Sequence, residues 1–283
     1  MNVVGIFSNK NGERRTLLVK SFVEGCYNKG NSVELINVDD IYNLYKLKYA
    51  DILVSYGCRN EIVNILELFN DIPRIRIYDP PIRPLGKLNR ELDDYYGVTW
   101  DDFHKGYVYD ENLNNKRWIN LKYKYNLQVK PWSEGSNILL VYQPNDDFYG
   151  NSRLEIYKYL AFKCLETKRR VFICNRPKCR KFKFKGCYQC VGLENNMYNL
   201  HCIVSCAGTS VSKGIINGIP SFSYEGNITT PLMKNITIDE FLSNNPKPNR
   251  QPWLNWVAYQ QWTIDEMREG LSFEYMVDIK NEI

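Results

Sequence analysis

Apolar positions along the chain fall into two periods that alternate. Val3–Phe7 is a short apolar run, the pattern of a buried strand. Thr16–Tyr27 places Leu17, Leu18, Phe22 and Val23 at helical spacing, with Gly30 just beyond as a stop signal. Ser32–Val38 alternates through Val33, Leu35 and Val38, and Ala50–Ser55 is again a buried-strand run. Glu61–Phe69 reads as a short helix, and Arg74–Tyr78 as a strand that ends before Pro80-Pro81. This strand–helix alternation predicts a parallel sheet with helices on its faces.

Residues 81–135 are less regular, and Lys130–Ser136, with its Pro131 and Gly135, reads as a linker. The rhythm then restarts. Asn137–Tyr142 is a strand, Arg153–Thr167 a helix with Ser152 as its N-cap, and Arg170–Cys174, Leu200–Ser205 and Ser221–Tyr224 are strands. Trp253–Gln261 reads as a helix with a Trp-rich face. Thr263-Ile264-Asp265-Glu266 is a capping box that opens another, ended by Gly270. Trp253, Trp256 and Trp262 are expected in the core.

A chain of 283 residues, 44% hydrophobic and 24% charged, has room for two such α/β units. No apolar run reaches the length of a membrane span, and the amino end already reads as a strand rather than a leader. A cytoplasmic protein with no membrane partner is expected. Nine cysteines without a leader argue against a disulfide framework. A net charge of +5 suits an anionic ligand without requiring nucleic acid.

The sharpest chemical signal is Ser205–Pro220. A strand enters a turn of small residues, Ala207-Gly208-Thr209-Ser210, that feeds a helix. Such a turn offers free backbone N–H groups to an anion, so phosphate or nucleotide recognition is expected at Gly208, Thr209 and Ser210. Asn9–Gly12, with Lys10 and Arg14, follows the first strand and would bind acceptor or phosphate at that sheet's carboxyl edge. Gln143 follows the first strand of the second half and would border the same ligand as Gly208.

Lys168–Lys185 is the densest basic stretch, and Phe182 and Phe184 interleave with Arg180, Lys181 and Lys183. Such a mixture could track a phosphate backbone and stack bases, which makes DNA a candidate partner; a solvated hairpin with exposed lysines explains it as well. Cys174, Cys179, Cys187 and Cys190 lie in the same region and could hold a structural zinc, although only Cys187 and Cys190 have knuckle-like spacing. Reduced, partly buried thiols are the alternative. His201 begins a strand and is read as structural.

Two Rossmann-like halves, with a Gly/Ser/Thr turn, a helix and Gly218-Ile219-Pro220 in the second, resemble GT-B glycosyltransferases. Gly97–Gly106, Lys130–Trp132, Ile138–Gln143 and Arg250–Thr263 resemble more particularly a glycosyltransferase-like group of phages and bacteria. The resemblance implies an α/β fold of two Rossmann-like domains in GT-B arrangement, with C-terminal helices returning to the first. The expected bounds are an acceptor-side domain 1–132, a donor-binding domain 133–249 and a tail 250–283. It implies a nucleotide-sugar co-substrate and no catalytic metal. Gly208, Thr209, Ser210, Arg176 and Lys178 would hold the donor phosphates. The base that takes the acceptor proton would be His104, Asp101 or Asp102. A phage origin, with its host-cytoplasm location, would make a hydroxymethylpyrimidine of DNA the acceptor; a surface glycan precursor is the other class. Where the family often carries a Glu that holds the donor ribose, this chain has Lys213. That departure also feeds the opposing expectation, a non-catalytic nucleic-acid-binding protein with a zinc-stabilised basic module.

Overall fold

The computed structural model describes residues 1–57, 60–83, 94–100, 109–143, 152–175, 181–193, 196–206, 208–225, 228–233 and 236–281. In chain order, β1 (Asn2–Phe7), α1 (Glu13–Asn28), β2 (Ser32–Asn37), β3 (Ile52–Tyr56), α2 (Asn60–Leu68), β4 (Arg74–Tyr78) and β5 (Tyr96–Trp100) come first. Next are α3 (Lys116–Lys124), β6 (Asn137–Tyr142), α4 (Ser152–Glu166), β7 (Val171–Asn175), β8 (Tyr188–Cys190), β9 (Leu200–Ser205), α5 (Ser210–Ile216) and β10 (Ser221–Ser223). The chain continues through α6 (Thr230–Met233), α7 (Ile238–Asn244), α8 (Gln251–Ala258), β11 (Gln261–Trp262), α9 (Ile264–Arg268) and α10 (Leu271–Asn281).

These elements form two compact α/β units, each Rossmann-like, as the alternating apolar pattern predicts. The first contains residues 1–80, 88–108 and 259–283, and the second residues 81–87 and 109–258. In the first, the sheet order is β11-β5-β4-β3-β1-β2. Strands β2, β1, β3 and β4 are parallel, whereas β5 runs antiparallel to β4 and β11 antiparallel to β5. Successive residues of β1 face opposite sides. Val3 joins a core with Leu18, Phe22 and Val54, while Val4 and Ile6 join one with Leu53, Ile62 and Leu66. Both faces are covered, which is why these strands read as apolar runs.

The carboxyl-terminal segment completes the first core. Trp262, Met267, Phe273 and Met276 pack in the same cluster as α1. Trp100 donates its indole N–H to the Met276 carbonyl at 2.7 Å. Helices α1 and α9 approach so closely that a Cβ at Gly25 would lie 1.9 Å from the Met267 carbonyl oxygen. The capping box is present: Glu266 donates its backbone N–H to the Thr263 hydroxyl at 3.2 Å, and its carboxylate accepts the Thr263 N–H at 2.8 Å.

The second sheet has the order β10-β9-β6-β7-β8, with every described pairing parallel. Lys130–Ser136, read as a linker, lies within this unit and is tied to it. Lys130 N–H donates to Ile216, Ser133 N–H to Gly218, and the Trp132 indole to Pro248. Arg250 stacks 4.1 Å from the Trp132 ring centre while donating to the carbonyls of Ile215 and Lys130. The three tryptophans are buried, but in different units. Trp253 and Trp256 of α8 belong to the second, where the Trp253 indole donates to Ile228 at 2.8 Å, and Trp262 belongs to the first. No helix among the described residues is long and apolar enough to cross a membrane.

Candidate functional site

The candidate site lies at the carboxyl edge of the second sheet, where β6 and β9 run side by side at its centre. Strand ends at such an edge leave backbone groups that need partners. Tyr157, from α4, supplies one for both strands. Its phenol oxygen accepts the N–H of Gln143 at 3.1 Å and of Cys206 at 3.4 Å. Burial pushes the phenol up to about 12, so it stays neutral as a clamp. Tyr142 packs edge-on against Tyr157 at 4.7 Å and stacks on Phe182 at 5.0 Å.

The turn after β9 sits on this clamp. Gly208 has φ 109°, a conformation that side chains disfavour, and a Cβ there would lie 2.3 Å from the Gln143 carboxamide oxygen. Only glycine leaves the turn open above Gln143. Thr209 is the N-cap of α5 and makes no capping bond with its side chain. The first intrahelical bond runs from Lys213 N–H to Thr209, so the N–H groups just before it have no helical acceptor. The Ser210 hydroxyl is buried at 2% exposure, without a hydrogen-bond partner among the described residues, as is that of Ser212. A buried hydroxyl with no partner costs free energy that a ligand could recover.

At the next strand end, Glu225 is fixed by a bidentate pair with Arg153: Nη2 to Oε2 is 2.5 Å, and Nε to Oε1 is 3.3 Å. Arg153 is almost fully buried. Burial and the Glu225 carboxylate hold the Cys206 thiol well above its usual value, hence protonated. No local motif marks Tyr157, Arg153 or Glu225 in the sequence, whereas Gln143 stands at the end of a legible strand.

The other expected residues fall as follows. Asp101, Asp102 and His104 lie outside the described residues, as do Arg176, Lys178, Cys179 and Arg180. Lys213 is half-buried on α5, one turn from Thr209. Lys10 is exposed and 3.7 Å from Asp39. Arg14 stands in the first turn of α1, its Nε buried with no partner among the described residues. In the basic segment, Lys181 and Lys183 are exposed, but Phe182 is 5% exposed and held inside. Asn175 fixes it there by accepting the Phe182 N–H at 2.7 Å and donating back to its carbonyl at 3.3 Å. Phe182 is therefore a core residue and is not available to stack on a base.

The cysteines divide for a geometric reason. Cys187 follows the Lys185–Gly186 turn and stands just before β8, whereas Cys190 lies in the strand, and the two have different cysteine neighbours. Cys190 pairs in register with Cys174, and the two thiols hydrogen-bond, which pushes Cys190 upward. Burial pushes the Cys164 thiol well up, and Cys202 and then Cys187 nearby add to it. Among the described residues, no three of His, Cys, Asp and Glu gather in a metal-binding group. His201, at the start of β9, contacts Asn245 at 3.2 Å and lies at the sheet's opposite edge.

No protein-family model matches the sequence, and no curated protein matches it. Among solved structures, the β-Kdo 2,7 transferase KpsC of Thermosulfurimonas dismutans is similar with a TM-score of 0.52 at 15% identity, over 97% of this chain and 100% of that one. The UDP-GlcNAc 2-epimerase of Methanocaldococcus jannaschii, solved with UDP-GlcNAc and UDP, is similar with a TM-score of 0.33 at 10% identity, over 100% of both chains. The spinosyn forosaminyltransferase SpnP is similar with a TM-score of 0.31 at 9% identity, over 99% of both chains. Of these three, the first alone exceeds a TM-score of 0.5. The chain thus shares the GT-B type of fold with that transferase: two Rossmann-like α/β units in one polypeptide.

Proposed function

We propose that the chain is a glycosyltransferase that moves a sugar from a nucleotide-sugar donor to a hydroxyl acceptor. The observation that carries this reading is the Gly208–Ser210 turn at the centre of the second sheet's carboxyl edge. It combines a positive-φ glycine, an uncapped helix start and a buried hydroxyl in need of a partner. The donor diphosphate would accept the N–H groups of Thr209 and Ser210 and the Ser210 hydroxyl. Arg176 and Lys178, which follow β7, would add charge, and Lys213 would bring a cation where related enzymes often carry a ribose-binding Glu. The fold shared with a sugar transferase supports the reading.

In the transfer, the acceptor oxygen bonds to the anomeric carbon as that carbon's bond to the phosphate oxygen breaks. The acceptor proton passes to a base, for which His104, Asp101 and Asp102 are the candidates. The leaving nucleoside diphosphate gains negative charge, so a fixed set of N–H donors aimed at it stabilises the transition state more than the ground state.

For the acceptor we favour a glycan hydroxyl. A hydroxymethylpyrimidine in DNA rests on the phage-like resemblance and on an aromatic, basic segment able to stack bases, and burial of Phe182 weakens the second of these. The same burial weakens the non-catalytic nucleic-acid-binding alternative.

The test is calorimetric titration with UDP, GDP, CDP, CMP and dTDP, followed by turnover with the matching sugar nucleotides. One nucleotide should bind, and Ser210→Ala should weaken it by about tenfold, or about 1.4 kcal/mol. If none of the nucleotides binds, or Ser210→Ala binds as tightly as the parent, the donor site is misassigned.

A further inference from the structure

Between β2 and β3 of the first unit, Ile41–Tyr49 forms a 3-10 helix. Its inner side is anchored: Leu47 is fully buried and Leu44 packs on the same cluster. Asp40 caps it, accepting the Tyr42 N–H at 3.1 Å and the Asn43 amide at 2.5 Å, and Asn2 donates to the Tyr49 carbonyl at 2.9 Å. Tyr42 and Tyr45, three residues apart on one row away from Leu44 and Leu47, are 83% and 60% exposed; Tyr49 and Ile41, on the other two rows, are 63% and 69% exposed. Four large apolar side chains left in water within nine residues of an anchored helix are not incidental exposure.

We propose that this tyrosine ridge is a binding track for a glycan chain, with Tyr42 and Tyr45 as its sugar-stacking platforms. The proposal rests on the reading of sugar transfer above and names the acceptor as an oligosaccharide or polysaccharide.

Three physical points select this ligand. A 3-10 helix has three residues per turn, so Tyr42 and Tyr45 share one face about 6 Å apart, comparable with one pyranose unit. A pyranose ring packs its C–H face on an aromatic face, while its equatorial hydroxyls reach the phenol groups and water at the ring edge. The anchored helix holds the rings in place before the ligand arrives, which lowers the entropy lost on binding.

Charge and area exclude the alternatives. Lys46 is bonded to Glu34 at 2.5 Å, Lys48 lies 4.7 Å over the Tyr49 ring, and Asp40 adds a negative charge. The ridge therefore lacks the cationic excess that a nucleic acid requires. The three tyrosines and Ile41, at most about 200 Å² each and partly covered, fall short of the roughly 800 Å² per partner of a stable protein interface. A narrow chain of sugars fits what remains.

The test is native electrophoresis of the full chain through gels containing dextran, hydroxyethyl cellulose, galactomannan or alginate. Variants are Tyr42→Ala/Tyr45→Ala and the control Tyr42→Phe/Tyr45→Phe. At least one polysaccharide should retard the parent protein. The double alanine variant should bind it at least about tenfold more weakly, and the double phenylalanine variant within about threefold of the parent. Failure of every polysaccharide to retard the parent overturns the proposal. So does equal retardation of the double alanine variant, or binding of an oligothymidine or a protein partner that this variant alone loses. Nucleotide titration of the same proteins separates the two readings. Nucleotide binding without polysaccharide binding removes the ridge and leaves the donor site standing. Polysaccharide binding without any nucleotide binding does the reverse.

Discussion

The carboxyl edges of the two sheets are built from opposite materials. In the first unit, the described strand ends carry carboxylates that are already engaged. Asp39 accepts from the Ser8 hydroxyl at 3.0 Å and the Asn9 N–H at 3.0 Å, and Asp79 accepts from the Tyr56 phenol at 2.7 Å. Arg15 lies 5.3 Å over that Tyr56 ring. In the second unit, the described edge is small and aromatic. Its one carboxylate at a strand end, Glu225, is neutralised by Arg153, and the hydroxyls of Ser210 and Ser212 have no partner among the described residues. A phosphate approaching the first edge meets engaged carboxylates set among the cations Lys10, Arg14 and Arg15, and one approaching the second meets hydroxyl donors in want of an acceptor. Topology alone offers both edges to a ligand, and side-chain chemistry decides between them.

The largest expected effect comes from exposing that hidden carboxylate. Arg153→Met should strand Glu225 and destabilise the second unit by about 3 kcal/mol, measured by urea denaturation. Adding Glu225→Gln should restore about half, and no restoration would mean the pair is not what balances the edge. Gly208→Val comes next. Positive φ in a β-branched residue and the clash with Gln143 should weaken nucleotide binding about thirtyfold by calorimetry, with the protein still folded. Tyr157→Phe leaves the N–H groups of Gln143 and Cys206 without their acceptor. A loss of about 1–2 kcal/mol is expected in the same denaturation series, and an unchanged midpoint would remove the clamp from the account.

A smaller effect follows pH. His201 is held below the usual histidine value of 6.5, first by burial and then by Arg169 and Lys247. Folding favours its neutral form, so the unfolded chain binds the proton more readily. That contribution to stability is present above 6.5 and is lost as pH falls below it. Denaturation midpoints of the parent should fall from pH 7 to pH 5 more than those of His201→Gln, and parallel curves would exclude the histidine. The smallest effect is an absence. Asp39→Asn, at the first edge, should leave nucleotide affinity within about twofold. A large change there would erase the contrast between the two edges.

The sequence makes the strands of both sheets visible because parallel strands covered on two faces must be apolar throughout. It hides β5, β8 and β11. Tyr96–Trp100 mixes glycine and threonine with aromatics, Tyr188–Cys190 is three residues with a polar centre, and Gln261–Trp262 is two residues of strand just past a turn, with the apolar pattern of the preceding helix running into it. The Gly208 turn is legible because its chemistry is local. The Arg153–Glu225 pair is not, because 72 residues separate partners that only the sheet brings together. Lys181-Phe182-Lys183 did carry its answer. Alternation of period two places the ring inside and the lysines outside, which charge density alone does not reveal.

The first unit is discontinuous in the chain, and this sets an order on its birth. Its core needs Trp262, Met267, Phe273 and Met276 beside α1. A ribosome must therefore have made and cleared residue 276 before that core can close. All the strands of the second sheet emerge earlier, so the downstream unit can consolidate first while the amino-terminal strands wait, against the usual vectorial order. A released chain truncated after residue 258 should carry a folded second unit and an open first one. In the cell, that open unit is the part of the molecule a chaperone would meet.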